Sequence, residues 1–260
     1  MACSSLLEPS DSNDAWFVGA CLIAVIVLGL GSSAEAQTVE PAPPYLSGPV
    51  DFPSGSTTAW NVAVASDYVF RGTSQTEGDI AISGGVDLAN GSFYAGAWAS
   101  NVSFPGDSET NAEIDLYGGF RPEFAGWNWD IGAVGYFYPG QPGGADYDYV
   151  EAKVAASRAI GPATIGAAVF WSPDSFGATE DDASYVEANA TFSLADKWTV
   201  SGAVGNQFVS SDLDYTTWNV GAAYRLTDTL TLDVRYHDTD QHDFGDVYGR
   251  RGVVSLQAFF

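Results

Sequence analysis

The 260-residue sequence is poor in cysteine, in positive charge and in long apolar runs. Its two cysteines, Cys3 and Cys21, both precede residue 37. If that segment is removed, no thiol remains. A disulfide framework, a thiolate zinc site and a cysteine nucleophile are then excluded together. Nine Lys and Arg stand against 33 Asp and Glu, a formal net charge of −24. A nucleic-acid backbone needs a basic face, and nine scattered cations cannot supply one. A disordered acidic chain has many charges and few aromatics. Here charged residues are 16% and aromatic residues 14%, so the chain builds something ordered. A mean hydropathy of −0.01 is too polar for a bundle of membrane helices.

The one long apolar run, Ala15–Leu30, is followed by small residues at Ala34 and Ala36. This pattern predicts a signal peptide over residues 1–36, cleaved after Ala36. Its leading part is unusual in holding Glu8, Asp11 and Asp14 and no Lys or Arg. Residues 37–55 carry five prolines, at 41, 43, 44, 49 and 53. Such a stretch lacks backbone donors and stays extended, so it reads as a linker before a folded domain over 56–260.

From residue 57 the hydrophobic period is two. In the first segment Trp60, Val62, Val64, Tyr68 and Phe70 share one face, and Asn61, Ala63, Ala65, Asp67 and Arg71 the other. That is a strand with one apolar and one polar face. Eleven more such segments follow, beginning near residues 79, 93, 112, 127, 149, 163, 185, 198, 216, 230 and 251. The inward face of the segment from 93 is ambiguous. The connections alternate long and short, which a soluble sandwich has no reason to do. A transmembrane up-and-down antiparallel β-barrel does, with short periplasmic turns, longer external loops, an even strand number and both termini periplasmic. About ten residues per strand is also the length a tilted strand needs to cross a bilayer. The expected fold is therefore all-β, a barrel of about twelve strands in the outer membrane of a Gram-negative bacterium. Charge parity agrees, because charged side chains fall opposite the apolar face. A charge facing lipid at mid-depth costs about 2–4 kcal/mol. Trp60, Tyr68, Trp127, Trp198, Tyr224 and Tyr236 lie near strand ends, where aromatic girdles belong.

Several segments resemble the TorF family of proteobacterial porins: SDYVFRGTSQT (66–76), FYAGAWASNV (93–102), EIDLYGGFRP (113–122), GYFYPG (135–140), WSPD (171–174), YHDTD (236–240) and the terminal Phe260. The resemblance runs from Trp60 to the C-terminus. It implies an outer-membrane barrel with a pore, and says little about the solute.

Candidate chemistry falls in three places. Tyr236–Asp243 holds His237, His242 and three aspartates, which could ligate a metal or serve a barrel hydrolase. Its spacing matches no fixed ligand pattern, so a hydrated acidic loop is the preferred reading. Glu180, Asp181 and Asp182 could bind Ca²⁺, but such acidic runs are usually just solvated. The lumen is the better site. Asp67, Arg71, Glu113, Asp115, Glu151, Lys153, Glu187, Asp233 and Arg235 all fall on the polar face and are the expected pore-lining residues. Their excess of carboxylates predicts a passive, cation-preferring channel for small solutes or ions. The alternative is that the same charges plug a small barrel and leave a closed structural or surface-interaction protein. No enzyme activity, cofactor or metal is implied, and no nucleic acid. The implied partners are outer-membrane lipids with lipopolysaccharide, the barrel-insertion machinery and small solutes. Oligomeric state is left open.

Overall fold

The structure, a computed structural model, describes residues 56–177 and 182–260. The expected signal peptide (1–36) and linker (37–55), and Glu180 and Asp181, lie outside the described residues. The strands run in order β1 (Ser56–Ala65), β2 (Val69–Phe70), β3 (Thr73–Ser74), β4 (Ala81–Asn90), β5 (Phe93–Asn101), β6 (Ala112–Phe120), β7 (Glu123–Phe124), β8 (Trp127–Phe137), β9 (Tyr149–Ile160), β10 (Ala163–Ser172), β11 (Ala183–Ala195), β12 (Trp198–Phe208), β13 (Tyr215–Arg225), β14 (Leu230–Thr239) and β15 (Arg251–Phe259). Two 3-10 turns, His242–Phe244 and Asp246–Tyr248, lie in the last connection.

Twelve of these strands are staves of a closed antiparallel barrel. Sequence neighbours pair around the wall. β1 pairs with β15 at the seam, and β6 with β8 across the short β7 turn. Phe260 extends the seam by exchanging backbone hydrogen bonds with Trp60, at 2.9 and 3.0 Å. The expected strand count and antiparallel order are what the structure shows. The short connections, such as Gly161-Pro162 between β9 and β10, cluster with both described ends at one end of the barrel. The long ones, including 66–80, 102–111, 138–148 and 240–250, gather at the other.

Alternation along each stave sorts residues to two surfaces. The outer surface is apolar and open: Trp60 is 57% exposed, Ile82 61% and Phe93 66%, with Leu116, Val154, Val186, Val220 and Val254 completing a continuous belt. A soluble protein does not leave such a belt uncovered. The inner surface carries the polar and charged residues and one dense aromatic core. That core joins Tyr94, Trp98, Tyr117, Val134, Tyr136 and Tyr138 from and beside β5, β6 and β8. It therefore fills one side of the lumen.

The first predicted strand is shorter than the alternation suggested. The wall strand ends at Ala65, and residues 66–80 fold back inside the barrel as a small hairpin built on β2 and β3. Tyr68 and Phe70, expected on the lipid face and the girdle, are interior instead. Tyr68 is buried with its ring edge-on to Trp98 at 5.3 Å, and Phe70 meets Tyr136 at 5.8 Å. The reason is the turn Phe70-Arg71-Gly72-Thr73. Arg71 (φ 48°) and Gly72 (φ 83°) both take positive φ, which reverses the chain where a transmembrane strand would continue.

Candidate functional site

The interior of the barrel is the site, and the hairpin divides it. Asp67 fastens the hairpin to itself by accepting from Ser74 Oγ (2.7 Å) and Thr76 Oγ1 (2.9 Å). The same carboxylate receives Arg251 of β15 at 2.7 Å. Arg71 projects from the tip to the far wall. Its Nη1 and Nη2 each donate to Glu151 of β9 at 2.7 Å, and Nη1 also to Gln207 of β12 at 3.2 Å. Three rings surround the guanidinium, those of Phe70, Phe170 and Tyr185, at 4.4 to 4.9 Å. Thus Asp67 and Arg71 stand in the lumen, but on the hairpin rather than on the barrel wall.

Behind the hairpin lies an acidic wall. Glu113 accepts from Tyr68 Oη at 3.2 Å. Glu151 also accepts from Tyr136 Oη at 3.0 Å. Asp115 is fully buried beside these two carboxylates. Nearer the short-turn end, Asp130 gathers Lys153 (2.8 Å), Arg121 (3.1 Å) and the hydroxyl of Tyr94 (2.6 Å). The Arg121 guanidinium carbon lies over the Tyr94 ring, 3.9 Å from its centroid. On the opposite wall Arg235 donates to Asp233 (3.1 Å), Asn219 (2.7 Å) and Ser201 (2.8 Å). Glu187 is held by Tyr185 Oη (2.9 Å) and Asn189 (3.1 Å) and forms no ion pair among the described residues. The nine residues expected on the polar face thus fall into several separate clusters rather than one ring. Parity puts Tyr117 on the polar face with Glu113 and Asp115, but sequence reasoning missed the other lumenal aromatics, Tyr94, Trp98, Tyr136 and Tyr185; in the segment from 93 the alternation leaves the inward face ambiguous.

Exposure separates a packed half from a wet half. Inward residues of β5, β6, β8 and β9 near the aromatic core are buried, down to Tyr136 and Asp115 at 0%. Inward residues on the other side keep partial exposure: Asn61 and Ala63 on β1, Ser83 and Asp87 on β4, Ala203 on β12, Asn219 on β13, Asp233 on β14, and Ser255 and Gln257 on β15. Within a closed barrel, an inward side chain is exposed only where the lumen has room for solvent. A lane of small polar side chains therefore runs down that side, with Asp87, Glu187 and Asp233 beside it.

The other candidates resolve differently. His242 Nε2 meets Asp238 Oδ1 at 2.7 Å, and Tyr236 Oη donates to the same carboxylate at 2.7 Å. His237 faces inward between Arg235 and Arg251. Among the described residues, neither histidine holds a hydroxyl nucleophile at hydrogen-bond distance. Among the described residues, no three His, Cys, Asp or Glu side chains converge on a metal position. Asp182 accepts a long bond from Trp171 Nε1 at 3.4 Å.

Comparison with solved structures agrees with the geometry at the level of fold. The KdgM porin superposes with a TM-score of 0.54 at 8% identity, over 79% of this chain and 99% of its own. The NanC porin gives 0.53 at 11% identity, over 77% and 97%. KdgM has also been solved in complex with disordered oligogalacturonate. No curated protein matches the chain. A family model described as a bacterial protein of unknown function, Gcw_chp, matches residues 51–258.

Proposed function

The chain belongs to the Gcw_chp family, and on that premise we propose that it is an outer-membrane channel for passive diffusion of small hydrated solutes or ions, cations before anions. The observation that carries this reading is the wet lane inside a barrel whose outer belt is built for lipid. The acidic balance of the lumen supports the preference. Asp87 and Glu187, beside the lane, take donors from Tyr117, Tyr185 and Asn189, and neither forms an ion pair among the described residues. Fixed charge in a narrow, low-dielectric passage concentrates counter-ions of the opposite sign. An anionic cargo such as the oligogalacturonate named for KdgM is disfavoured by the same balance.

In this reading the barrel sits in the Gram-negative outer membrane, with the short turns and both termini periplasmic and the long loops outside. Lipopolysaccharide borders the long-loop rim, and the barrel-insertion machinery assembles the protein. The TorF resemblance fits the same assignment. Residues 1–36 are then the export signal and 37–55 a periplasmic linker.

The test is conductance of refolded residues 37–260 in a planar bilayer under a KCl gradient. Stable steps with a cation-selective reversal potential are expected. Glu187→Gln with Asp233→Asn, both beside the lane, should lower the cation-to-anion permeability ratio about two- to five-fold by removing fixed charge. A folded, heat-modifiable barrel that stays silent would select the closed structural reading instead.

A further inference from the structure

The hairpin tip carries a residue that its backbone does not favour. A two-residue turn with positive φ at both positions prefers Asn-Gly or Asp-Gly, because Asn and Asp tolerate that region and a long side chain gains nothing there. Gly72 meets the requirement, and also the space: a Cβ on it would fall 2.2 Å from Thr217 Oγ1 on β13. Arg71 meets neither preference. Its presence is accounted for by what the side chain reaches, a two-point bond to Glu151 between the rings of Phe170 and Tyr185, with 7% of the side chain exposed.

The hairpin is also attached to the wall by aromatic packing, Tyr68 on Trp98 and Phe70 on Tyr136, and by polar contacts. The polar ones include Asp67 with Arg251, Tyr68 with Glu113, and Thr73 with the hydroxyl of Tyr215 at 3.5 Å. Asp67, Ser74 and Thr76 tie the hairpin into one small body. Its tip lies against Thr217 and Thr239, at the long-connection end of β13 and β14, and from there the Arg71 side chain reaches across to β9. The wet lane runs beneath it.

We infer that Arg71 and Glu151 form a lock that holds this hairpin across the long-connection mouth, so that breaking the lock swings the hairpin away and opens the lane to solutes. Arg71 is then an access-determining residue rather than a lining charge. The consequence for transport rests on the channel reading above; the lock itself does not.

Trypsin reports the lock directly, because it cuts after arginine and the Arg71–Gly72 bond is reachable only when the tip leaves the lumen. In the folded, heat-modifiable protein in detergent, that bond should resist cleavage. Glu151→Ala and Glu151→Gln should each raise the rate of the cut between 71 and 72 about ten-fold or more, read from fragment masses. Equal protection in the wild type and in both folded variants overturns the lock, whatever the barrel conducts. Arg71→Asn suits the turn better than arginine and so should fold. It should raise single-channel conductance or open time several-fold, and the exchanged pair Arg71→Glu with Glu151→Arg should bring it back toward the wild type. A conducting wild type that Arg71→Asn leaves unchanged also overturns the inference. A barrel silent in every variant but cut faster at Arg71–Gly72 in the Glu151 variants keeps the lock and removes only the channel.

Discussion

At the scale of single residues, the inner wall is shaped as much by missing side chains as by present ones. Tyr117 lies over Gly96 of the neighbouring strand and donates its hydroxyl to Asp87 at 2.8 Å. A Cβ on Gly96 would fall 2.4 Å from the Tyr117 ring, so the ring must leave its hydrogen bond or the strands must part. Gly96→Ala should therefore destabilise the barrel by about 1–3 kcal/mol, the usual range for overpacking. Urea unfolding followed by the heat-modifiable gel shift would measure it. Tyr117→Phe removes only the hydroxyl and should cost about 1 kcal/mol. If the steric account is right, Gly96→Ala should cost much less in a Tyr117→Ala background. Additive costs would mean that the two residues do not share the space.

At the scale of elements, the staves were legible and the hairpin was not, and the physics differs between them. A stave is specified by period-two alternation, and a one-residue slip would turn every apolar side chain inward. Trp60, Val62 and Val64 against Asn61, Ala63 and Ala65 therefore sort correctly from sequence. Alternation carries no information about where a strand leaves the wall. Tyr68 and Phe70 keep the parity of Trp60, so pattern alone extended the strand through them. The available signal was the Arg71-Gly72 pair, whose glycine favours a turn, together with polar Ser66 interrupting the apolar face. Parity places Tyr117 inward with Glu113 and Asp115, but Tyr94, Tyr136 and Tyr185 were missed for a related reason. Tyrosine suits a membrane interface, but its hydroxyl also pairs with buried acids, as in Tyr94 with Asp130. The long loops have their own local logic. Asp107 in the 102–111 connection accepts from Thr110 Oγ1 (2.6 Å) and from the amides of Glu109 (2.8 Å) and Thr110 (3.2 Å). The Thr110 hydroxyl first, then these amides, hold its carboxyl below the ordinary aspartate value. A depressed value in the folded state means the contribution is present above about pH 4 and is lost as pH falls through the folded value. Amide protection at Glu109 and Thr110 should then fall below about pH 4, and Asp107→Asn should remove that dependence. Protection that is flat with pH in the wild type would contradict the assignment.

At the scale of the whole molecule, twelve staves enclose more width than an aromatic core on one side can fill, and the asymmetry decides where anything can pass. Bulk added to the packed half has nowhere to go and should act on stability. Bulk added to the lane has room and should act on flow. Ala63 and Ser83 sit opposite each other on β1 and β4, both inward and partly exposed. Ala63→Phe or Ser83→Phe should leave the folded, heat-modifiable barrel intact and lower single-channel conductance by about half or more, since a narrow passage is set by its smallest section. Removing the Trp98 side chain, fully buried in the aromatic core, should cost about 3–5 kcal/mol in stability and change conductance little. The opposite result, with conductance rising on loss of Trp98 and indifferent to residues 63 and 83, would move the passage to the packed half. It would also mean that the aromatic core, not the hairpin, is what closes the barrel.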